Sequence, residues 1–342
     1  GGAVWWRELL AEALKHGLTG RFGSSATVGV VGFSLGGGLS LFSRRIGLAC
    51  SAIRSVELVT PDGRIRRIDA GSDPDLFRAI RGGGGGFGVV TEAEIQLGQL
   101  PPISGGMLAW SIERAPEVLA AWVRWTRSLP DDVTSALRLV RLPDAPPLAM
   151  VNLVCVLPGD ALRAELRPLL DLDPTIDLVG ETDPVRYLDQ FGDPDLDGPP
   201  MAMEHVMVDR LPPDALDLAA EAADPIIGCG AAMIELRHLG GALARPDESC
   251  SLSHLDGEYS LTAMGPAPNR ARLAHVVDQL SDFGRGRTCF NFMSSPDGDR
   301  SHAYGPEALA GLEQIHEAVD PGRVLMRPYP VRAGRRRPRI EA

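Results

Sequence analysis

The stretch that decides the fold is Ser24 to Gly38, SSATVGVVGFSLGGG, together with a second glycine run, Gly82 to Gly88, GGGGGFG. Glycine has no Cβ, so such runs let the backbone adopt positive φ and let a ligand lie against bare N–H and C=O groups. Two runs so close in sequence indicate an extended ligand. Tight turns between strands are the simpler explanation of a single run, and this alternative remains open until the flanking sequence is considered.

The flanks of the two runs alternate short helices and strands. Apolar residues at helical spacing predict a helix over Ala3 to His16. Pro61-Asp62-Gly63 predicts a tight turn between strands at Ser55 to Thr60 and Arg64 to Ile68. Leu35 to Ile46 is expected to be a short helix opened by the glycines. The other elements predicted here are a helix capped by Asp73 that runs to Ile80, and a strand at Val89 to Leu97.

Pro101 and Pro102 mark a boundary, because the glycine runs are absent beyond them and the pattern changes. Trp122 and Trp125 lie on the apolar stripe of a helix from about 116 to 129, which favours a core position over a cofactor site. The predicted strands that follow are 136–140, 149–156, 232–239 and 259–264, and the predicted helices are 161–170, 213–222, 270–283 and 306–319. The pattern is typical of an antiparallel sheet backed by helices, within an α+β fold.

The overall composition limits the possible functions. The 342 residues allow two domains, and no apolar run reaches the length of a membrane span. A formal charge of −11 disfavours nucleic-acid and anionic-membrane partners. Five dispersed cysteines indicate reduced, mostly buried thiols and therefore a cytoplasmic protein. The first residue is Gly1, and the sequence after it already looks like the inside of a domain, so we expect that the true N-terminus is missing.

The glycine runs match neither of two common nucleotide-binding sequence patterns. A P-loop needs a lysine after its glycines, whereas the one lysine near either run is Lys15. A Gly-x-Gly-x-x-Gly fingerprint must follow a strand, open a helix and precede an acidic residue by about twenty positions, and neither run does so. A nicotinamide or nucleoside-triphosphate site is therefore disfavoured.

An ordered set of motifs resembles the FAD-linked oxidoreductases of the berberine bridge enzyme-like type, within the vanillyl-alcohol oxidase superfamily. The motifs are TVGVVG at Thr27 to Gly32, LGGG at Leu35 to Gly38, SRRIGLAC at Ser43 to Cys50, the hairpin at Ser55 to Ile68, and DPDLFRAIRGGGGGFGVVT at Asp73 to Thr91. The resemblance covers residues 1 to 97 closely and resumes at Thr288 to Leu325. MIELRHLGGALAR and HLDGEY are similar to substrate-domain strands of bacterial members.

The resemblance implies a split FAD-binding domain of the PCMH type with an inserted substrate domain of antiparallel sheet backed by helices. The implied parts are the second lobe of the FAD-binding domain (1–100), a substrate domain (101–286), a C-terminal segment that returns to the FAD domain (287–330) and a disordered basic tail (331–342). The first lobe, which carries the pyrophosphate loop and the histidyl attachment site for flavin, is absent from this chain. The chain is accordingly expected to be a fragment.

The resemblance also implies FAD as the cofactor and assigns residues to it. Ser25 lies where bicovalent members have a cysteine, so no cysteinyl-flavin bond is expected there. Asn291 lies on a strand beside the flavin ring, or alternatively is a hydrogen-bonded strand residue without a ligand. The implied contacts are Ser24, Ser25, Thr27, Val28, Gly29 and Gly32 along the flavin and ribityl chain, Gly37 and Gly38 at a close approach, Gly88 and Val90 beside the adenosine end, and Asn291.

The implied reaction is hydride transfer from a small alcohol, amine or sugar-like substrate to flavin N5, with oxygen or another electron acceptor. Cys289 replaces a tyrosine of the family, and Pro328 and Tyr329 replace a polar pair, so the catalytic base is not named. The oligomeric state is not readable from the sequence. The alternative is a truncated or degenerate flavin-fold protein without catalysis that acts in binding or assembly.

Two further groups of charged residues need an interpretation. Glu235 and Arg237 alternate with apolar residues, so they share one strand face; an ion pair on a solvated face is favoured over a substrate contact. His254, Asp256 and Glu258 share one predicted strand face, and surface placement is favoured over a metal site.

Overall fold

The structure, a computed structural model, describes residues 1–141, 145–193, 200–222, 230–292 and 302–325. The helices are α1 (Trp6–Leu14), α2 (Val30–Leu35), α3 (Ser43–Ile46), α4 (Pro74–Gly83), α5 (Ala115–Thr126), α6 (Gly159–Glu165), α7 (Arg167–Leu170), α8 (Pro184–Phe191), α9 (Pro213–Ala222), α10 (Arg270–Ser281) and α11 (Pro306–Val319). The strands are β1 (Leu18–Thr19), β2 (Ile53–Val59), β3 (Ile65–Asp69), β4 (Val89–Ile95), β5 (Gly98–Gln99), β6 (Ile103–Ser111), β7 (Val133–Val140), β8 (Leu148–Cys155), β9 (Ile176–Asp177), β10 (Gly180–Thr182), β11 (Met201–Val208), β12 (Met233–His238) and β13 (Tyr259–Pro266).

The largest sheet has eight strands, in the order β10-β6-β8-β7-β12-β13-β11, with β9 paired to β6. Its strand pairs are antiparallel. One face packs against helices α5, α6, α7, α9 and α10 in a core that contains Leu137, Leu236 and the fully buried Trp122. The opposite face is therefore free to carry polar residues. This arrangement confirms the predicted α+β class and the sheet backed by helices.

A smaller sheet, β3-β2-β4, lies with the glycine runs. Asp73 accepts a hydrogen bond from Leu76 N–H at 3.2 Å and so begins α4, as predicted. The C-terminal helix α11 packs on α4, where Leu312 lies against Gly83. The division of the chain into an FAD-binding part and a substrate domain stays a prediction.

Most predicted elements are confirmed within a few residues, and the departures have physical reasons. The helix predicted over Leu35 to Ile46 is wrong, because Gly37 and Gly38 have φ of +107° and +75° and break the helical path between α2 and α3. Asn291 lies in a short 3-10 turn, Phe290–Phe292, and not on a strand. Strands β6 and β11 and helix α8 were not predicted. The predicted basic tail, with Pro328 and Tyr329, lies outside the described residues.

Among the described helices, none has both the length and the apolar character of a membrane span.

Candidate functional site

The face of the large sheet that points away from the helices carries a row of polar side chains. The register pairs Arg138 on β7 with Glu235 on β12, Glu235 with Thr262 on β13, and Thr262 with His205 on β11. Residues directly opposite one another in a sheet point to the same face. Arg237, two residues along β12, shares that face. Five polar side chains from four adjacent strands therefore lie together.

Glu235 is the centre of a buried ionic cluster. Its Oε2 lies 2.7 Å from Arg138 Nε, and its Oε1 lies 2.8 Å from Arg237 Nη2. The Glu235 and Arg237 side chains are only 4% and 5% exposed, so the interpretation as an ion pair on a solvated face is wrong. Asp193 binds the other side of Arg138, at 2.8 Å from Nη2. Two guanidinium groups thus face two carboxylates, which is the pairing that buried charges require.

The cluster fixes the charges of its members. Burial alone would raise the pKa of Glu235, but the guanidinium groups of Arg237 and Arg138 lower it, so the carboxylate stays ionised. Burial opposes the charge of Arg138, yet Glu235 and Asp193 raise its pKa. Tyr187 lies close by, and burial raises its pKa to about 12, so the phenol keeps its proton at neutral pH.

Three buried polar atoms on this face have no hydrogen-bond partner among the described residues: Asn152 Oδ1, Thr262 Oγ1 and His205 Nε2. Cys289 N–H donates to His205 Nδ1 at 3.4 Å, which leaves the ring proton on Nε2. Burial and the charge of Arg237 lower the pKa of His205 to about 3, so the imidazole is neutral at pH 7. Buried polar atoms are normally satisfied. The face therefore offers an acceptor, a hydroxyl and an N–H donor to a polar ligand.

The first glycine segment reaches this face through Ser24. Ser24 Oγ donates to Asp193 Oδ2 at 2.5 Å and accepts from Arg237 Nη2 at 3.5 Å. A cavity of ≈ 20 Å³ lies between Ser24 and the strands, where Tyr187 and Phe191 of α8 help to line it. That volume is enough for about one water molecule. Ser24, one of the predicted cofactor residues, therefore touches the ionic cluster.

Beyond Ser24 the chain exposes bare backbone. A methyl group at Gly29 or at Gly32 would meet no atom within 4 Å, and Val28 is 38% exposed. Gly29 forms an isolated antiparallel bridge with Trp5, whose side chain is 50% exposed. Trp5, Val28, Gly29 and Gly32 form what we call the open strip; Val30 and Val31 between them are buried in α2. The open space at Gly29 and Gly32 and the exposed side chains of Trp5 and Val28 suit a flat, extended ligand. The predicted residues Ser25 and Thr27, between Ser24 and the strip, are half-buried.

Asn291 holds the loop that ends the first run. Its Oδ1 accepts from Gly38 N–H at 2.8 Å, and its Nδ2 donates to Phe33 O at 3.1 Å. At Gly37, a Cβ would lie 2.6 Å from a Leu252 methyl group, so no larger residue fits without a shift. The structure thus brings together three predicted residues, Gly37, Gly38 and Asn291. The amide of Asn291 shapes the loop, and its contact with a flavin stays a prediction.

The second glycine run begins as a packing junction and not as backbone open to a ligand, which corrects the expectation drawn from its composition for Gly82 to Gly84; Gly85 is exposed, with open space around it. A Cβ would lie 2.6 Å from a side-chain atom at each of its first three glycines: Leu252 at Gly82, Leu312 at Gly83 and Phe290 at Gly84. Gly84 N–H donates to Leu35 O at 3.0 Å, so the two runs touch.

Gly88 and Val90, predicted beside the adenosine end, lie at the start of β4. A Cβ at Gly88 would lie 2.8 Å from Val59 O on the neighbouring strand β2. Val90 is half-buried, and its carbonyl oxygen lies 2.8 Å from the position of a Cβ at Gly2. The start of β4 therefore borders the N-terminal segment that leads to Trp5.

The predicted His254, Asp256 and Glu258 set lies in a loop and not on a strand, so the expected shared face is wrong. His254 Nε2 lies 3.0 Å from Asp256 Oδ1, and Asp256 also pairs with Arg287 at 3.4 Å. The described residues contain no group of three His, Cys, Asp or Glu side chains that could hold a metal ion.

Sequence reasoning missed Arg138, Asn152, Thr262 and His205. Arg138, Asn152 and Thr262 each lie between two apolar residues, and this alternation is the one signal that could have placed them on the face opposite the core; His205 follows Glu204 and lacks that signal. Their alignment depends on strand register, which a single sequence does not supply.

Comparison with known proteins supports the cofactor and the fold. Residues 1–69 match the FAD binding domain family. An FAD-dependent monooxygenase of Cochliobolus heterostrophus is 38% identical over 136 residues, 39% of this chain and 26% of that protein. The (R)-6-hydroxynicotine oxidase of Paenarthrobacter nicotinovorans is 39% identical over 112 residues, 32% of this chain and 24% of that protein. The matched stretch thus spans about a quarter of each relative.

The fold comparison covers nearly the whole chain. Berberine bridge enzyme-like protein 1 of Physcomitrella patens superposes with a TM-score of 0.84 at 18% identity, over 98% of this chain and 77% of that one. The PCMH-type fold, the resemblance to the berberine bridge enzyme-like proteins and FAD as the cofactor of the matched domain are therefore confirmed.

Proposed function

We propose that this chain is a large part of an FAD-linked oxidoreductase in which FAD lies along the open strip and its ring end meets the polar face of the large sheet. The observation that carries the proposal is Ser24, which joins the two surfaces: it begins the segment that leads to the open strip and also contacts Asp193 and Arg237. The open space at Gly29 and Gly32 fits the cofactor.

The predicted cofactor residues would contact different parts of FAD according to their positions in the chain. Ser24 to Gly32 would follow the flavin and ribityl chain, and Gly37, Gly38 and Asn291 would keep the adjoining loop in shape. Gly88 and Val90 would border the adenosine end. When bound, FAD supplies the hydride acceptor. The proposed division into residues 1–100 and 287–330 for the cofactor and 101–286 for the substrate follows from the same assignment.

The residues of the polar face would bind and orient the substrate. Arg138, Glu235 and Arg237 form charges that are held in place by one another. Because the cavity beside them has room for about one water molecule, Tyr187 and Phe191 would move aside when a larger substrate binds. Thr262 and His205 add a hydroxyl and an N–H donor, which fit an alcohol, an amine or a sugar-like molecule. The cover provided by Tyr187 and Phe191 keeps bulk water from the cluster.

Glu235 is better suited to positioning than to proton abstraction. Both of its oxygens already bind guanidinium groups, and the lowered pKa makes it a weak base. His205 is also a weak base, because burial and the charge of Arg237 disfavour its protonation. The substrate would therefore be held here, with the proton accepted by another group.

Expression with the upstream coding sequence tests the proposal. The protein should be yellow, or should take up added FAD, and candidate alcohols, amines or sugars should bleach it without oxygen. Thr262→Val should slow bleaching or raise the KM, because it removes a hydroxyl from the substrate face. Thr182→Val on β10, at the sheet edge, is the matched control and should leave both unchanged. A colourless protein that takes up no FAD would favour a degenerate protein that acts in binding or assembly and would refute the oxidoreductase.

A further inference from the structure

Outside the proposed active site, the structure brings together two cysteines that are 200 positions apart in sequence. Cys50 lies in a 3-10 turn, Ala49–Ala52, and Cys250 lies in the segment 247–252. Both are buried and free, both lie in the wall of one cavity, and Cys50 Sγ donates to the carbonyl oxygen of Leu252, two residues beyond Cys250, at 3.9 Å. We call residues 247–252 the thiol segment. The pairing of two thiols from distant segments is the starting observation.

A guanidinium group holds the two segments in place. Arg81 Nε donates to Cys50 O at 3.1 Å, and its Nη2 donates to Ser51 O at 3.0 Å. On the other side, Arg81 Nη1 donates to Ser249 O at 3.0 Å. One side chain thus binds the backbone beside both cysteines, which keeps the two sulfurs adjacent without a covalent bond.

A cavity large enough for small molecules lies against the pair. Its volume is ≈ 270 Å³, and Cys50 and Cys250 both line it, with Asp247 beside them and Arg45 and Arg245 also in its wall. A water molecule occupies about 30 Å³ of liquid volume, so hydrogen peroxide fits easily. Cys50 and Cys250 are 0% and 1% exposed, so a small oxidant in the cavity reaches the sulfurs when the wall opens slightly, whereas a large oxidant is excluded.

The two thiols differ in acidity. The hydrogen bond from Cys50, helped by the charge of Arg81, lowers the pKa of Cys250. The same hydrogen bond and burial raise the pKa of Cys50. A thiolate is the reactive form of cysteine. Cys250 is thus suited to attack first and Cys50 to act as the second thiol.

The thiol segment also contacts both glycine runs. The Leu252 side chain lies 2.6 Å from the Cβ position of Gly37 and 2.6 Å from that of Gly82. Leu252 is therefore wedged between the first run and the second. A covalent bond at Cys250 would fix this wedge and the loops it separates.

We propose that Cys50 and Cys250 are a peroxide-reactive pair that closes to a disulfide and fixes the thiol segment on the two glycine runs. The Cys250 sulfur attacks one peroxide oxygen, the O–O bond breaks, and a sulfenic acid and one water form. The Cys50 sulfur then displaces the sulfenic oxygen, forms the S–S bond and releases a second water. Two thiols lose two electrons in total, and one peroxide is reduced to two waters.

The test uses the reduced wild-type protein treated with increasing hydrogen peroxide, then unfolded in an alkylating reagent and digested without reductant. We expect the linked peptides of Cys50 and Cys250 to accumulate and to separate again with dithiothreitol. Cys155, Cys229 and Cys289 should remain alkylated. Cys155→Ser, a buried control on β8, should form the link at the wild-type rate, whereas Cys250→Ser should slow the oxidation of Cys50 at least several-fold.

A second readout follows the thiol segment in the wild-type protein. Glu248 is 81% exposed, so a glutamate-specific protease should cleave after it. Peroxide should slow this cleavage several-fold and leave cleavage at other glutamates unchanged, because a fixed segment opens less often. Recovery of Cys50 and Cys250 as separate alkylated or overoxidised peptides would overturn the proposal, as would links scrambled among all five cysteines. None of these outcomes depends on bound FAD, so the test is independent of the proposed activity.

Discussion

Replacing Glu235 with glutamine should destabilise the protein strongly, because it leaves an excess of buried positive charge. Glu235 neutralises Arg138 at 2.7 Å and Arg237 at 2.8 Å. Asp193, whose side chain is 35% exposed, pairs with Arg138 alone. After the substitution Arg237 has no carboxylate left among its described partners. Removal of one member of a buried ion pair typically costs about 3–5 kcal/mol of unfolding free energy.

Equilibrium unfolding in urea, followed by tryptophan fluorescence and circular dichroism, measures this loss. The matched control is Glu94→Gln, whose side chain is 62% exposed and pairs with Arg67 at 3.3 Å; it should cost at most about 1 kcal/mol. The double variant Glu235→Gln, Arg237→Met should be more stable than Glu235→Gln alone, because the unpaired charge is gone. Equal losses for Glu235→Gln and Glu94→Gln would refute the reasoning, as would a double variant that loses the sum of both single changes.

Two further predictions concern the loop of the first glycine run and the buried histidines. Asn291→Asp keeps the acceptor for Gly38 N–H but places a carboxylate oxygen against Phe33 O, so unfolding in urea at pH 8 should show a loss of about 1–3 kcal/mol; an unchanged midpoint would contradict this role. Burial is the main reason why the pKa values of His205 and His238 are lowered from the usual 6.5 to about 3. Between pH 6.5 and pH 3 the unfolded chain therefore binds more protons than the folded protein, and the unfolding free energy should fall as the pH drops through this range. Urea unfolding at pH 7.5 and pH 5 should differ by about 2–4 kcal/mol, and the double glutamine variant should reduce that difference, whereas a flat wild-type profile would contradict the prediction.

Local sequence patterns correctly predicted the elements that are stabilised mainly by residues within one short segment. The turn at Pro61-Asp62-Gly63 and the helix at Pro306–Val319 follow from turn chemistry and from apolar spacing within one segment. Strand β6, ISGGMLAWS, was missed because two consecutive glycines disfavour a strand. Its pairing with β8, nearly fifty residues away, overrides that preference. The tertiary partner, and not the local sequence, decides such an element.

The glycine runs also show that local composition does not identify the tertiary contact partner. Composition predicted bare backbone at both runs, yet bare backbone is exposed at Gly29 and Gly32 and not at Gly82. At Gly29 and Gly32 of the first run the missing Cβ leaves open space, whereas at Gly82 of the second run it leaves room for Leu252, which lies 170 positions further along the chain. A glycine marks a close approach, but the sequence does not say whether the approaching group is a ligand or the protein itself.

The polar face shows what a single strand can and cannot reveal. Alternation along β12 correctly placed Glu235 and Arg237 on one face. It could not tell whether that face meets water, because the groups that cover it, Ser24 and Tyr187, come from distant parts of the chain. A buried carboxylate between two arginines is tolerated only if all the charges are paired. Arg138 lies on the neighbouring strand β7, which contains no acidic residue to pair with it. Burying this arginine without a carboxylate partner would cost unfolding free energy. An unmatched arginine on a second apolar strand of the same sheet is therefore the sequence signal that favours a buried ionic cluster over a solvated pair.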